Sequence, residues 1–238
     1  MGALVVNRVY DRVTVQGEGP FAGRRCTFVR LWGCNLHCAW CDTPETWDTT
    51  GRIGPAYERA ANARPMTVAE VAGRVYDLDV DLCVVTGGEP LVQADRVGDL
   101  AVALARAGID THVETNGTIA PGPSVEPVEH FVVSPKLASA DAGARALNPQ
   151  ALGAFAGLAW RGLASFKFVI CAPADLIEAR RLCDRYDVPR SARWAMPEGT
   201  DAGTVGAGLA EWAEWAIAAG FNVSTRLHVL LWGAEKGR

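Results

Sequence analysis

Short apolar runs alternate with amphipathic stretches along most of the chain. Runs of β-branched and other apolar residues predict strands at 26–32, 81–86, 112–116, 131–136, 165–171 and 192–196. Weaker alternation predicts a first strand at 4–10 and a last strand at 222–230.

Helical periodicity occupies several of the intervals between these strands. Thr67 and Glu70 have the spacing of a capping box, which predicts the start of a helix at 67–78. Other helices are predicted at 57–63, 95–107, 174–186 and 203–219. Strands that alternate with helices favour a parallel sheet with right-handed crossovers, and the length of 238 residues fits a single domain, 1–238, better than two.

Polar side chains are concentrated where the predicted strands end. They are Thr86, Glu89, Glu114, Asn116, Ser134, Lys136 and Glu198. In a βα barrel the carboxyl ends of the strands share one face, and that face forms the active site. About six such units predict an α/β fold, an incomplete TIM-like βα barrel with a lateral opening.

Three of the cysteines lie in one short stretch, as Cys34, Cys38 and Cys41 in a C-x3-C-x2-C pattern. Structural zinc sites and ordinary ferredoxin clusters use four protein ligands, and no second cysteine pair lies nearby. Three thiolates can hold three irons of a 4Fe-4S cluster and leave the fourth iron open for a substrate. A zinc knuckle or three buried thiols are the alternatives; Cys26 could be a fourth ligand, but it lies in an apolar run typical of a strand.

Composition narrows the class of protein. The seven cysteines are odd in number and clustered, which disfavours a secreted disulfide framework and favours a reducing, cytoplasmic setting. No apolar run approaches the roughly 20 residues that span a bilayer, and the N-terminal residues lack a signal-peptide pattern. The net charge is -4 without a basic tract, so we expect neither nucleic acid nor membrane as a partner.

The cysteine pattern, with Trp40 before its last cysteine, resembles the signature of the radical S-adenosylmethionine (SAM) superfamily. In that superfamily the open iron chelates the amino and carboxylate groups of SAM, and the fold is a partial βα barrel. Residues 87–90, Gly-Gly-Glu-Pro, resemble the second motif of the superfamily, in which a glycine-rich strand end approaches SAM. The two motifs lie one βα unit apart and support each other.

A finer resemblance, to the 7-carboxy-7-deazaguanine synthases, covers nearly the whole chain. Its motifs are the Gln-Gly-Glu-Gly of 16–19, Arg30, the Cys-Asp-Thr of 41–43, the Thr-Gly-Gly-Glu-Pro of 86–90, the Glu-Thr-Asn-Gly of 114–117, the Ser-Pro-Lys of 134–136 and His228. The resemblance implies conversion of 6-carboxy-5,6,7,8-tetrahydropterin to 7-carboxy-7-deazaguanine with loss of ammonia, on the route to queuosine and other 7-deazapurines.

The same resemblance implies a role for individual residues. Arg30 and Glu114 would be catalytic, and the substrate would contact Val15, Gln16, Gly17, Glu18, Arg30, Thr86, Glu114 and His228. SAM would contact Trp40, Cys41, Asp42, Gly88, Glu89, Ser134, Pro135, Lys136, Ala195, Met196, Pro197 and Glu198. The cluster would be held by Cys34, Cys38 and Cys41, and Mg2+ by Thr43.

Two stretches differ from the subfamily pattern. Residues 195–198 are Ala-Met-Pro-Glu where a Gln-Pro-Met-Asp stretch is expected, and residues 224–228 are Ser-Thr-Arg-Leu-His where a Leu-Gln-Thr-His run is expected. The resemblance also implies a flavodoxin- or ferredoxin-type reductant and a homodimer. A radical SAM activase of glycyl-radical enzymes and a non-catalytic zinc module are the rival functions.

Overall fold

A computed structural model describes residues 2–233, 235 and 237. The strands of this described part are β1 Leu4–Val9, β2 Thr14–Val15, β3 Arg25–Leu31, β4 Arg64–Met66, β5 Leu82–Gly87, β6 Asp110–Thr115, β7 His130–Val133, β8 Ala164–Ile170, β9 Arg193–Pro197 and β10 Asn222–Val223. Its α-helices are α1 Arg59–Asn62, α2 Val68–Tyr76, α3 Ala94–Ala105, α4 Pro149–Trp160, α5 Pro173–Arg185, α6 Ala202–Ala218 and α7 Leu227–Trp232.

The chain forms two compact units. The first unit comprises the chain up to Thr14, Arg25–Thr115 and Pro121–Phe131. The second comprises Val15–Arg24, Asn116–Ala120 and the chain from Val132 onward. The single domain expected over 1–238 stays a prediction.

The first unit is built on strands in the order β6-β5-β3-β1-β4. β3, β5 and β6 are parallel neighbours, whereas β1 is antiparallel to both β3 and β4. The central strands are almost wholly buried because they carry continuous apolar runs, of which Val84 and Val85 are examples. The helix predicted at 67–78 is α2, and both hydrogen bonds of its capping box between Thr67 and Glu70 are present.

The second unit contains parallel strands β8, β9 and β10 in neighbouring positions. Large apolar side chains fill its core, among them Phe155 of α4, Phe168 of β8 and Trp212 of α6. The ring of Phe168 meets that of Phe221 edge to face, with centroids 5.9 Å apart.

Most predicted elements are confirmed to within a few residues. Strands β2 and β4 and helix α4 were not predicted. The strand predicted at 222–230 is wrong beyond Val223, since the segment that holds His228 is helix α7. Short apolar runs such as Leu227–Trp232 fit a strand or a buried helix equally well, because neither period is visible over so few residues.

None of the helices in the described ranges has both the length and the apolar character to span a bilayer.

Candidate active site

The cysteine loop follows β3 and is fastened at its start by backbone hydrogen bonds. The Gly33 N-H donates to the Thr46 carbonyl over 2.7 Å, and the Glu89 N-H donates to the Gly33 carbonyl over 2.8 Å. The Gly88 N-H donates to the Leu31 carbonyl over 3.1 Å. The loop is therefore held by the end of β5 on one side and by its own returning segment on the other.

The close approach of the end of β5 to Gly33 explains why residue 88 is a glycine. A Cβ atom added to Gly88 would lie 2.0 Å from the Gly33 carbonyl oxygen, so no other residue fits without a backbone shift. Sequence reasoning assigned this glycine to close approach of SAM. The structure adds a second reason, which is contact with the first residue of the cysteine loop.

The three thiols of the loop differ in their surroundings. Cys38 is buried, while Cys34 and Cys41 are partly exposed. The Leu36 N-H donates to Cys34 Sγ over 3.5 Å. Burial, reinforced by the nearby Glu89, raises the pKa of Cys34 to about 12. Metal binding must therefore displace a proton from this thiol, as thiolate coordination requires.

The donor set fits a 4Fe-4S cluster held by three thiolates. In such a cluster each cysteine binds its own iron, so the thiolates do not converge on one point. Over the described ranges, no group of three or more His, Cys, Asp and Glu side chains is placed to hold one ion in common. Cys26 is confirmed as a strand residue: it is fully buried in β3 and packs against Leu82 and Val84.

Thr43 lies directly after this loop, before the 3-10 turn Pro44–Thr46. Its carbonyl accepts hydrogen bonds from the backbone and hydroxyl of Thr46, at 3.0 and 2.7 Å. Its own hydroxyl does not cap the turn and lies 3.8 Å from Cys41 Sγ. A side-chain cap, the simplest structural role for this hydroxyl, is thus not what the structure shows.

Three of the predicted substrate residues stand side by side in the first unit. Arg30 of β3 is the register partner of Thr86 of β5. The Thr86 hydroxyl donates to Glu114 Oε2 of β6 over 3.1 Å. A cation, a hydroxyl and a carboxylate therefore form one row across three parallel strands. The strand-end pattern predicted that Thr86 and Glu114 lie together, and the family resemblance predicted Arg30 beside them.

Several anionic or polar groups surround the guanidinium of Arg30. It donates to the Tyr10 hydroxyl over 3.5 Å. Burial by itself would lower the pKa of Arg30, but Tyr10, Asp42 and Glu114 outweigh it and raise that pKa above its usual value. The side chain is therefore charged at neutral pH, and it presents a planar fork suited to a carboxylate.

Glu89 is fully buried and has a structural function. Its Oε1 accepts from the Leu91 N-H over 2.9 Å and from the Thr115 hydroxyl over 2.8 Å. The carboxylate thereby connects the end of β5 to the end of β6. Contact of Glu89 with SAM stays a prediction beside this observed role.

In the second unit, the loop that begins at Val15 is hydrogen-bonded to the start of α7 and to the residues just before that helix. The Leu227 N-H donates to the Gly17 carbonyl over 2.8 Å, and the Gly19 N-H donates to Ser224 Oγ over 2.7 Å. A Cβ atom added to Gly17 would lie 2.0 Å from Nδ1 of His228. The structure thus brings Gly17 and His228 together although they are far apart in sequence.

Glu18 is the centre of a buried ion cluster in the same unit. Its carboxylate is paired with Lys167 and accepts from Arg226 Nε over 2.9 Å. The Nε2 atom of His228 is 4.0 Å away. Burial alone would raise the pKa of Glu18, but Lys167, Arg226 and His228 outweigh it and hold that pKa well below its usual value. Glu18 is therefore ionised throughout the neutral range.

The other predicted SAM residues of the second unit lie at strand ends. Lys136 Nζ donates to Ser134 Oγ over 3.0 Å in the segment after β7, which also contains Pro135. Ala195, Met196 and Pro197 are buried in β9. The Glu198 N-H that follows donates to the Ile170 carbonyl of β8 over 3.0 Å.

Sequence reasoning missed several side chains that support these segments. Asp48 is buried after the cysteine loop and accepts from the N-H groups of Thr50, Gly51 and Ile53 at 2.9 to 3.2 Å. Burial would raise the pKa of Asp48, but backbone N-H groups, including that of Ile53, bring it down to about 2. An Asp followed by Thr-Thr-Gly is a turn signal that could have identified this residue.

Gln93, in the first unit, is a second supporting residue that the sequence analysis did not identify. Its amide Oε1 accepts from the Val5 N-H over 2.7 Å, and its Nε2 donates to the carbonyls of Val5 and Trp32, each over 3.1 Å. Gln93 thereby fixes the end of β3 from which the cysteine loop departs. No local pattern indicates it, because its partners are far away in sequence.

Comparison with known proteins gives consistent matches. The family model "Radical SAM superfamily" matches residues 32–129. The 7-carboxy-7-deazaguanine synthase of Pyrobaculum aerophilum is 35% identical over 228 residues, 94% of each chain. The synthase of the same name from Halobacterium salinarum is 34% identical over 97% of this chain and 91% of its own.

A solved structure is similar over the same length. The crystal structure of QueE from Escherichia coli has a TM-score of 0.68 and 26% identity, and covers 94% of each chain. The predicted α/β fold, the incomplete βα barrel of radical SAM type, is thereby confirmed.

Proposed function

The chain belongs to the 7-carboxy-7-deazaguanine synthases of the radical SAM superfamily, and we propose that it converts 6-carboxy-5,6,7,8-tetrahydropterin to 7-carboxy-7-deazaguanine. Ammonia is lost in this ring contraction, which belongs to queuosine and 7-deazapurine biosynthesis. The observation that carries the proposal is the row of Arg30, Thr86 and Glu114 on neighbouring strands, together with the three-thiolate loop that follows Arg30 in sequence.

A 4Fe-4S cluster and SAM are the cofactors of this superfamily. When bound, the cluster would supply one electron for the reductive cleavage of SAM, and SAM would supply the radical chemistry that removes hydrogen from the pterin. We assign three of the four cluster irons to Cys34, Cys38 and Cys41, one to each thiolate. We also assign SAM contacts to residues 40–42, 88–89 and 134–136, in agreement with the motifs, and to residues 195–198, where the sequence differs from the subfamily pattern.

The row of Arg30, Thr86 and Glu114 provides the polar groups that can bind a carboxypterin. The fork of Arg30 can bind the substrate carboxylate through two parallel hydrogen bonds. The Glu114 carboxylate, kept in place by the Thr86 hydroxyl, can accept hydrogen bonds from the amine and amide edges of a pterin ring. We place Mg2+ at the Thr43 hydroxyl, because Mg2+ keeps several waters and shares oxygens with substrates.

In the second unit we assign substrate contact to the Val15 to Glu18 loop and to His228. The short distance between Gly17 and His228 supports a common role. Glu18 itself is occupied by Lys167 and Arg226, so its contribution to the substrate is through the shape of the loop.

We further propose a flavodoxin- or ferredoxin-type reductant, a cytoplasmic location and a homodimer. A one-electron donor and a reducing compartment suit the oxygen-sensitive cluster. The exposed apolar side chains of Trp215 and Ile217 on α6 support a second copy as a partner. Light scattering of the unaltered protein and of Trp215→Glu tests the dimer, which the variant should weaken.

The decisive experiment is anaerobic turnover. Reconstituted protein is incubated with SAM, dithionite, Mg2+ and the carboxypterin, and product and 5'-deoxyadenosine are quantified by mass spectrometry. We expect both products from the unaltered protein and neither from Cys38→Ala. SAM cleavage without 7-carboxy-7-deazaguanine would refute the substrate assignment, and a protein that binds zinc but assembles no brown cluster would refute the class.

A further inference from the structure

Arg226 joins two segments of the second unit that sequence reasoning treated separately. Its Nε donates to Glu18 Oε1 over 2.9 Å, and its Nη1 donates to the Gly199 carbonyl over 2.7 Å. Only 8% of the residue is exposed. Glu18 belongs to the loop assigned to the pterin, and Gly199 directly follows the 195–198 segment assigned to SAM.

Both ends of this connection are fixed by further contacts. On the loop side, Glu18 is also paired with Lys167 of β8, and the Gly17 carbonyl accepts from the N-H of Leu227, the residue after Arg226. On the other side, the Glu198 N-H is bonded to the β8 carbonyl of Ile170. A displacement of either segment therefore strains the bonds of Arg226.

The planar fork of arginine is what permits two acceptors at once. An ammonium group is a compact point charge and does not match two acceptors in one plane. Arg226 stands in the 224–228 stretch that differs from the subfamily pattern, so this connection is a property of the chain itself rather than of the motifs.

We propose that Arg226 is a positioning residue that couples the pterin loop to the SAM segment, so that binding of either ligand favours binding of the other. The inference rests on the proposed function for the identity of the two ligands. Coupling of this kind is reciprocal: SAM must raise pterin affinity by the same factor as the pterin raises SAM affinity. We expect a factor on the order of ten.

The test measures this factor in the cluster-loaded enzyme under anaerobic conditions. SAM dissociation constants are determined by calorimetry without reductant, with and without saturating carboxypterin, and the reverse titration checks reciprocity. In Arg226→Gln, which cannot pair with Glu18 as an ion, we expect the factor to fall to near one. Arg226→Lys retains a charge beside Glu18 but lacks the planar fork that reaches both Glu18 and the Gly199 carbonyl, and we expect an equally reduced factor with better stability.

Arg193 offers a matched control in the same unit. It is 9% exposed, and like Arg226 it binds one carboxylate and one carbonyl: Nη1 donates to Asp184 over 2.9 Å and Nε to the Val188 carbonyl over 2.8 Å. Neither acceptor belongs to a segment assigned to a ligand. Arg193→Gln should lower thermal stability as Arg226→Gln does, and should leave the coupling factor unchanged.

The outcomes separate the two claims. If the unaltered enzyme shows no coupling, or if both Arg226 variants keep it while only stability falls, the inference is refuted and the proposed function stands. If the unaltered enzyme forms no 7-carboxy-7-deazaguanine in the turnover assay, the proposed function fails, and this inference fails with it. If Arg226→Gln does not fold, Arg226→Lys alone decides.

Discussion

The indole Nε1 of Trp47 donates a hydrogen bond to Cys41 Sγ over 3.3 Å. The ring of Trp47 is held in turn by an edge-to-face contact with His37, with centroids 4.9 Å apart. Trp47 lies outside the cysteine motif, yet it contacts one of the three thiols assigned to the cluster. Hydrogen bonds to sulfur are one of the means by which proteins set the potential of an iron-sulfur cluster.

We predict that Trp47→Phe lowers the midpoint potential of the cluster. The reduced cluster carries one more negative charge, so a donor to its sulfur stabilises the reduced state, and its removal disfavours reduction. A hydrogen bond of about 1 kcal/mol corresponds to a shift of about 40 mV for one electron. A redox titration followed by electron paramagnetic resonance measures this shift directly.

Trp160→Phe is the control for the loss of a tryptophan, since Trp160 is exposed at the end of α4 and its indole N-H donates to the Asp187 carbonyl rather than to a thiol. It should leave the potential unchanged. An unchanged potential in Trp47→Phe, with iron content intact, would show that the hydrogen bond has no electronic effect.

The cysteines divide into cluster ligands and structural thiols. We predict that Cys34→Ala, Cys38→Ala and Cys41→Ala each lose cluster iron and SAM cleavage. Cys26→Ala, Cys83→Ala and Cys183→Ala should keep both, because these three side chains are fully buried within β3, β5 and α5. Cys171→Ala should also keep both. Iron content and 5'-deoxyadenosine release are the measurements, and retained iron in Cys38→Ala would contradict the assignment.

Sequence reasoning succeeded where the signal is local. The capping box of Thr67 and Glu70 is carried by two residues one helical turn apart, and the structure contains both of its hydrogen bonds. It failed at α4, whose Pro149–Trp160 sequence is apolar on most sides and shows no clear face. Asn148 before Pro149 was the available signal, because its side chain caps the helix at Gln150 and Ala151.

The residues of the candidate site could be predicted from the sequence, but the contacts between segments far apart in sequence could not. Thr86 and Glu114 follow from strand ends that parallel pairing brings together, whereas Arg30 was indicated only by the family resemblance. The ion pair of Glu18 with Arg226 spans 208 positions of sequence, and no periodic pattern reports a contact at that distance. Long-range ion pairs of this kind can be identified only in the folded structure.

We predict that Arg30→Ala weakens the carboxypterin and leaves SAM affinity near that of the unaltered enzyme. Loss of a charge-assisted, two-point contact costs a few kcal/mol, which corresponds to roughly a hundredfold in the dissociation constant. Arg30→Lys keeps the charge without the planar fork. Its affinity for the carboxypterin should therefore lie between those of the unaltered enzyme and of Arg30→Ala. Calorimetry with each ligand separately is the measurement, and equal losses for both ligands would overturn the assignment.

The depressed pKa of Glu18 predicts a pH dependence of stability. A carboxyl group whose pKa is lower in the folded state stabilises the fold fully above its unfolded pKa of about 4.3, and this contribution is lost as the pH falls toward the folded value. The unaltered protein should therefore lose stability between neutral pH and pH 3 more steeply than Glu18→Gln.

Denaturant unfolding at several pH values measures the difference between the two proteins. Glu211→Gln removes an exposed carboxylate of α6 and should follow the unaltered protein. Parallel curves for Glu18→Gln and the unaltered protein would show that the ion cluster does not stabilise the fold.

Thr43 gives the sharpest test of the metal assignment, because its hydroxyl lies 3.8 Å from Cys41 Sγ and does not cap the turn that follows. Mg2+ is a hard cation that polarises oxygen atoms, so we expect it to act on the oxygen-bearing pterin rather than on SAM cleavage. Thr43→Ala, or chelation of Mg2+, should slow formation of 7-carboxy-7-deazaguanine about tenfold or more, while 5'-deoxyadenosine release changes little. Thr43→Ser keeps the hydroxyl and should be largely spared. Normal turnover of Thr43→Ala with an unchanged response to Mg2+ would place the metal elsewhere.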